Sequence, residues 1–136
     1  MASSDALPGP RRPRPLSPHL SIYRPTMTMA MSFAHRVSGC ALYVGVLLLA
    51  WFLIAVSADA STFAVFSGFI GSFIGQVVLF AVTWALFHHL VGGIRHIIWE
   101  AGYGLDAPLR DQLAWATLIG GFALTIVVWG VGYAVR

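Results

Sequence analysis

Thirteen consecutive residues, HHLVGGIRHIIWE at 88–100, gather three histidines, an arginine and a glutamate at the end of a long apolar run. Ionisable groups are costly in such a place, so each needs a reason. Drawn as a helix at about 100° per residue, the segment puts His89, Gly92, Gly93, His96 and Glu100 on one face. His88 points about a quarter-turn away. The two glycines leave a shallow groove between the histidines, where a flat group can approach the backbone. A porphyrin is flat, and imidazole is a common axial ligand of its iron. The plainer reading is a histidine hydrogen-bonded to a neighbour or to water near the membrane interface, among glycines of the kind membrane helices tolerate. Spacing alone leaves both readings open. It does impose one constraint: His89 and His96 leave the same side of one helix ~10 Å apart along its axis, so they cannot grip one iron from opposite faces.

A second axial ligand must then come from His35 or from another chain. His35 sits in SFAHRVSG, where Ser32, His35 and Arg36 share one helical side by i, i+3, i+4 spacing. A hydroxyl, an imidazole and a guanidinium would face one pocket; in the alternative, Arg36 only snorkels to lipid phosphates. If 32–36 opens one membrane span and 89–100 closes the next, antiparallel crossing brings both clusters to the same membrane face. A polar site there can hold an anionic or carbonyl-bearing ligand within reach of water.

The elements that position these groups follow from composition. With 58% hydrophobic residues, 10% charged and a mean hydropathy of +0.80 in 136 residues, the chain is wrong for a small soluble fold. Residues 37–58, 60–94 and 112–135 contain no Asp, Glu, Lys or Arg, and each stretch can cross a bilayer, which needs ~20 apolar residues. The expected fold is an all-α membrane protein with three transmembrane helices. The spans are placed at about 29–57, 63–100 and 109–135, after a Pro/Arg-rich segment at 1–28. All eight basic residues are arginines, and seven precede the first uncharged stretch or lie between the second and third. The positive-inside rule therefore puts the N-terminus and the 95–111 loop in the cytoplasm or mitochondrial matrix. The net charge of +3 describes orientation in a membrane, and no nucleic-acid partner is expected.

Finer expectations attach to individual residues. Span two is read as one helix starting after Ser61 or Thr62 as N-cap and ending before Gly102; at ~57 Å its last turns would emerge on the cytoplasmic side. Ser67, Gly71 and Gly75 would form a small-residue ladder on it. Asp106 with Pro108 just inside marks the third helix start. Cys40, the single cysteine, reads as a small apolar filler. No secretory signal is visible in the first 31 residues, which are basic but rich in proline.

Three segments, RPLSPHLSIYRP, SFAHRVSG and HHLVGGIRHIIWEAG, resemble the cytochrome b membrane-anchor subunits of succinate dehydrogenase, respiratory complex II, in their mitochondrial and alphaproteobacterial form. The likeness covers about residues 14–102 and includes both family motifs, S-x-x-H-R-x-S-G and H-x-x-x-G-I-R-H. It implies a three-helix subunit paired with a second small membrane-anchor subunit in a six-helix anchor. One b-type haem would lie between the two, with an iron–sulfur subunit and a flavoprotein subunit docked on the cytoplasmic or matrix side. By the same resemblance His89 is the haem-iron ligand and the opposite ligand comes from the sister anchor. Ser32 and Arg36 are the ubiquinone-site residues, and His35, Arg95 and His96 lie near the haem propionates and quinone pocket. The family usually has aspartate where this chain has Glu100, a candidate proton relay.

On that reading the chain is part of succinate:quinone oxidoreductase without itself oxidising succinate. Electrons from succinate arrive through the iron–sulfur partner and reduce ubiquinone with uptake of two protons, in a multi-pass protein of a bacterial or mitochondrial inner membrane. Ser32 would donate to a quinone carbonyl, and Arg36 would stabilise the anionic oxygen that develops. Two rival functions stand beside it. One is a haem-free structural anchor for soluble redox partners. The other is a small proton-conducting subunit, which would carry polar residues through a whole span, whereas here they crowd one end.

Overall fold

The computed structural model describes residues 22–135, so most of the Pro/Arg-rich segment at 1–28 lies outside the described residues. Four helices follow: α1 (Met27–Ser57), α2 (Ala60–Gly71), α3 (Phe73–Glu100) and α4 (Leu109–Ala134). The first, third and fourth are long and apolar enough to cross a membrane. Together they confirm the expected all-α architecture with three spans.

The bundle is polar inside and apolar outside. Leu47 and Val127 are 58% and 59% exposed, whereas Ser38 and Thr117 are 1% and Arg95 2%. In water this would expose far too much apolar surface; in lipid it is the favourable arrangement, because hydrocarbon solvates Leu and Val while buried polar groups find shelter between helices. Thr117 and Thr125 enter the α3–α4 seam without orphaned hydroxyls, donating to the Leu113 and Gly121 carbonyls at 2.8 and 2.7 Å. Gly121 lets α3 come close: a Cβ there would lie 3.0 Å from the His88 Cα. Cys40 is free and exposed on the outer face, so it is not the packed filler expected.

Helix ends follow capping chemistry. After Pro25, the Thr26 hydroxyl accepts the Met29 amide at 3.4 Å and starts α1 two residues before the expected position. At the other end of α1, Asp59, rather than Ser61 or Thr62, caps α2. Its carboxylate accepts from the Ser61 hydroxyl and from the Thr62 amide and hydroxyl, and these bonds, led by that of Ser61, hold its pKa down to about 2. α3 ends in a left-handed turn at Gly102 (φ +84°), with the Gly102 amide on the Trp99 carbonyl and the Tyr103 amide on that of Ile98. α4 begins at Leu109 with Pro108 as its N-cap, and the Asp106 side chain does not cap it.

The single long helix expected over 63–100 is broken at Ser72, whose extended backbone (φ −71°, ψ 159°) separates α2 from α3. Local hydrogen bonds make the break affordable. The Ser72 hydroxyl donates to the Phe69 carbonyl and accepts the Gly75 backbone amide, and the Gln76 side-chain Nε2 donates to the Ile70 carbonyl at 2.6 Å. Gly75 is required because a Cβ would sit 2.0 Å from the Phe69 oxygen. The Ser67–Gly71–Gly75 ladder therefore never forms on one helix: Gly75 packs under the end of α2, while nothing lies near a Cβ at Gly71. With α2 folded back onto Trp51 and Phe52 through Phe66, α3 alone crosses the membrane. Its 28 residues measure ~42 Å, shorter than the ~57 Å expected of an unbroken helix.

Candidate functional site

His89 is the best-defined polar side chain at the end of the bundle where α1 starts and α3 stops. Its Nδ1 lies 3.1 Å from the His35 carbonyl oxygen and 3.2 Å from the Ser38 Oγ. A carbonyl only accepts, so Nδ1 carries the hydrogen. Ser38 is consistent with this, because its own hydroxyl donates to the same His35 carbonyl at 2.8 Å and leaves its oxygen to accept. Nε2 of His89 is therefore the nitrogen with the lone pair. This is how ligating histidines are commonly prepared: the second-shell bond fixes tautomer and ring plane while the far nitrogen is offered to a metal.

α1 contributes more than this backbone carbonyl. The His35 ring stacks on that of His89 with centroids 3.9 Å apart and planes within 15°, and it meets His96 edge-on at 5.2 Å. Gly92 makes room for it, since a Cβ there would fall 2.4 Å from the His35 Cδ2. The groove expected between His89 and His96 is thus half-filled: His35 occupies the Gly92 side, and only Gly93 faces open space. Face-to-face rings 3.9 Å apart leave no gap for a porphyrin plane, so His35 is not placed to be the second axial ligand.

The other expected site residues divide into two groups. Ser32 and His96 are half-buried, and Arg36 and Glu100 are exposed, all at the same end of the bundle. Within the shared α1 side, His35 faces α3 while Arg36 faces outward. Arg95 turns away from this surface altogether, 2% exposed in the bundle interior, its guanidinium carbon 4.9 Å from the Trp99 ring centroid. His88 is fully buried against α4 and stacks on Trp84 at 5.1 Å. Ser38 was not singled out by its sequence, although it follows His35 by three residues and so shares its side of α1.

A concavity of about 540 Å³ lies at the opposite end, lined by Phe52, Phe66, Thr83 and Trp129 with the Gln76–Tyr133 hydrogen bond at 3.1 Å. It holds no acid, base or histidine, so the imidazole cluster is the better candidate for chemistry.

Known proteins agree on the class. A family model described as succinate dehydrogenase/fumarate reductase transmembrane subunit matches residues 10–128. The succinate dehydrogenase cytochrome b556 subunit of Rickettsia conorii is 36% identical over 116 residues, covering 85% of this chain and 90% of that one. The cytochrome b556 subunit of Paracoccus denitrificans is 35% identical over 114 residues, covering 84% and 88%. The mitochondrial cytochrome b560 subunit of Sus scrofa is 39% identical over 108 residues, covering 78% and 64%. The chain belongs to the succinate dehydrogenase/fumarate reductase transmembrane subunit family, and is a multi-pass protein of the inner membrane.

Proposed function

We propose that this chain, together with a second small membrane anchor, holds a b-type haem through His89 and forms part of the site where electrons from succinate reach ubiquinone. The flavoprotein and iron–sulfur subunits would dock at the end carrying His35, His96 and Arg110, which the arginine distribution assigns to the cytoplasmic or matrix side.

The residues present fit the cofactor. The observation that carries the reading is the commitment of His89 Nδ1 as donor to the His35 carbonyl and Ser38, which leaves Nε2 free for iron. Gly39 keeps the imidazole seated, since a Cβ there would stand 3.2 Å from His89 Cε1, and Gly93 leaves open backbone beside it. Relatives bearing the name cytochrome b support the same assignment. When bound, the haem supplies a one-electron carrier within the anchor.

The chain's own groups do the remaining work. Ser32 donates its hydroxyl to a quinone carbonyl, and Arg36, on the outer side of α1, stabilises negative charge developing on the quinone oxygen. His35, wedged between His89 and His96, keeps the ligand ring from turning. His96 and Glu100, half-buried and exposed at the end of α3, lie where protons enter from water.

His89→Ala tests the assignment. In the co-expressed, purified complex it should abolish or shift the reduced-minus-oxidised haem absorption, and an unchanged spectrum would reject His89 as the ligand. A wild-type complex with no such absorption would leave only a haem-free anchor. Arg36→Ala should lower quinone reduction far more than electron delivery to a soluble artificial acceptor; equal loss of both would reject the quinone-site role and point to defective assembly.

A further inference from the structure

Arg95 is the largest side chain fully buried in the bundle, and among the described residues its charge has no opposite partner. All three guanidinium nitrogens are enclosed and make no hydrogen bond among the described residues. The ion pair found there joins Arg110 to Asp111 at 3.5 Å, elsewhere on the chain. Asp59, Glu100 and Asp106 are exposed and Asp111 lies beside Arg110, so among the described residues no carboxylate enters the interior where Arg95 lies. Its one recognisable electrostatic contact is the face of Trp99.

Arginine does not neutralise itself by losing a proton at any ordinary pH. A buried guanidinium without a partner is therefore a permanent positive charge in a medium of low dielectric, bought at a desolvation cost that an apolar side chain would avoid. Because none of its guanidinium nitrogens reaches the surface, neither a lipid phosphate nor a docked subunit can pair with them there. Mobile salt is excluded as well, and screening of its field is weak. Arg95 stands six residues beyond His89 on the same rigid helix, a rise of ~9 Å.

We propose that Arg95 is a positioning charge for electron transfer, a fixed internal cation that raises the reduction potential of the haem held by His89. This rests on the haem assignment above. Adding an electron lowers the net charge of the iron centre, and a nearby cation favours that step. Nothing in this role requires Arg95 to touch haem or quinone.

The register of α3 against α4 supplies an independent probe. Gln76 pairs with Tyr133, Phe80 with Trp129 and His88 with Gly121, an antiparallel alignment that sets Ala114, 0% exposed, level with Arg95. A carboxylate introduced at Ala114 would meet the guanidinium from the opposite helix.

The experiment is spectroelectrochemical titration of the co-expressed, purified complex in wild-type form and as Arg95→Gln, Ala114→Asp, Ala114→Asn and Arg110→Gln. The haem midpoint should move to lower potential in Arg95→Gln and in Ala114→Asp. It should stay near the wild-type value in Ala114→Asn and in Arg110→Gln, whose charge already has Asp111. Equal midpoints for wild type and Arg95→Gln, both with normal spectra, would overturn the proposal. Should Arg95→Gln fail to assemble, Ala114→Asp against its uncharged isostere decides alone, and equal midpoints or equal loss of haem in that pair overturn it. Absence of haem from the wild-type complex would instead reject the His89 assignment, so the two failures are distinguishable.

Discussion

Ser38→Ala isolates the bond that prepares His89. The hydroxyl is 1% exposed and oriented by its donation to the His35 carbonyl, so the substitution removes one of two acceptors for Nδ1–H without opening the packing. The carbonyl at 3.1 Å remains, and the tautomer should survive. What His89 loses is one hydrogen bond, with a net worth of about 0.5–1.5 kcal/mol. At 1.4 kcal/mol per tenfold this corresponds to roughly 2- to 12-fold weaker haem retention. That is at or below the 10- to 100-fold usually seen when a second-shell partner of a metal ligand is removed, as expected when a second acceptor persists. The assay is the rate of haem loss from the detergent-solubilised complex to an excess of a haem-scavenging apoprotein, followed at the absorption maximum. A rate equal to wild type in Ser38→Ala, while His89→Ala empties the site, would refute the reasoning, because Nδ1 would then not depend on this hydroxyl.

Other perturbations test the geometry at separate points. Gly92→Ala should displace His35, whose Cδ2 would lie 2.4 Å from the new Cβ, costing about 1–3 kcal/mol of packing and broadening the haem spectrum; thermal unfolding of the complex measures the first and absorption the second. Gly75→Ala should lower the unfolding temperature through contact with the Phe69 carbonyl, whereas Gly71→Ala, with open space around it, should not. The Asp59 cap has a pH signature. Its folded pKa of about 2 lies below the ordinary value near 3.9, so the stabilisation is present above about pH 3.9 and is lost as pH falls through about 2. Protection of the Thr62 amide against hydrogen exchange, corrected for intrinsic rate, should follow that window in wild type and be flat in Asp59→Ala.

The spans were legible in the sequence because lipid leaves a long uncharged segment no alternative to helix. Periodicity likewise put His89, Gly92, Gly93 and His96 on one face, and it grouped Ser32 with His35 and Arg36. Both groups do meet at one end of the bundle. The His89 assignment came from motif resemblance, and the structure added the hydrogen bonds that make such a ligand workable. Rotation about the helix axis was not legible. In a helix apolar nearly all round, hydrophobic contrast is too weak to say which side faces protein, so only packing revealed that Arg95 turns inward while Arg36 turns out. The break at Ser72 was hidden for a related reason. Phe69, Ile70, Ser72, Gly75 and Gln76 fit a continuous apolar helix equally well until the folded chain uses their side chains and the absent Cβ to replace missing backbone bonds. Local composition thus determined how many times the chain crosses the membrane and which residues cluster. Contacts between helices decided which imidazole is held, which is wedged and which charge is sealed inside, because those depend on the close approach of segments fifty residues apart.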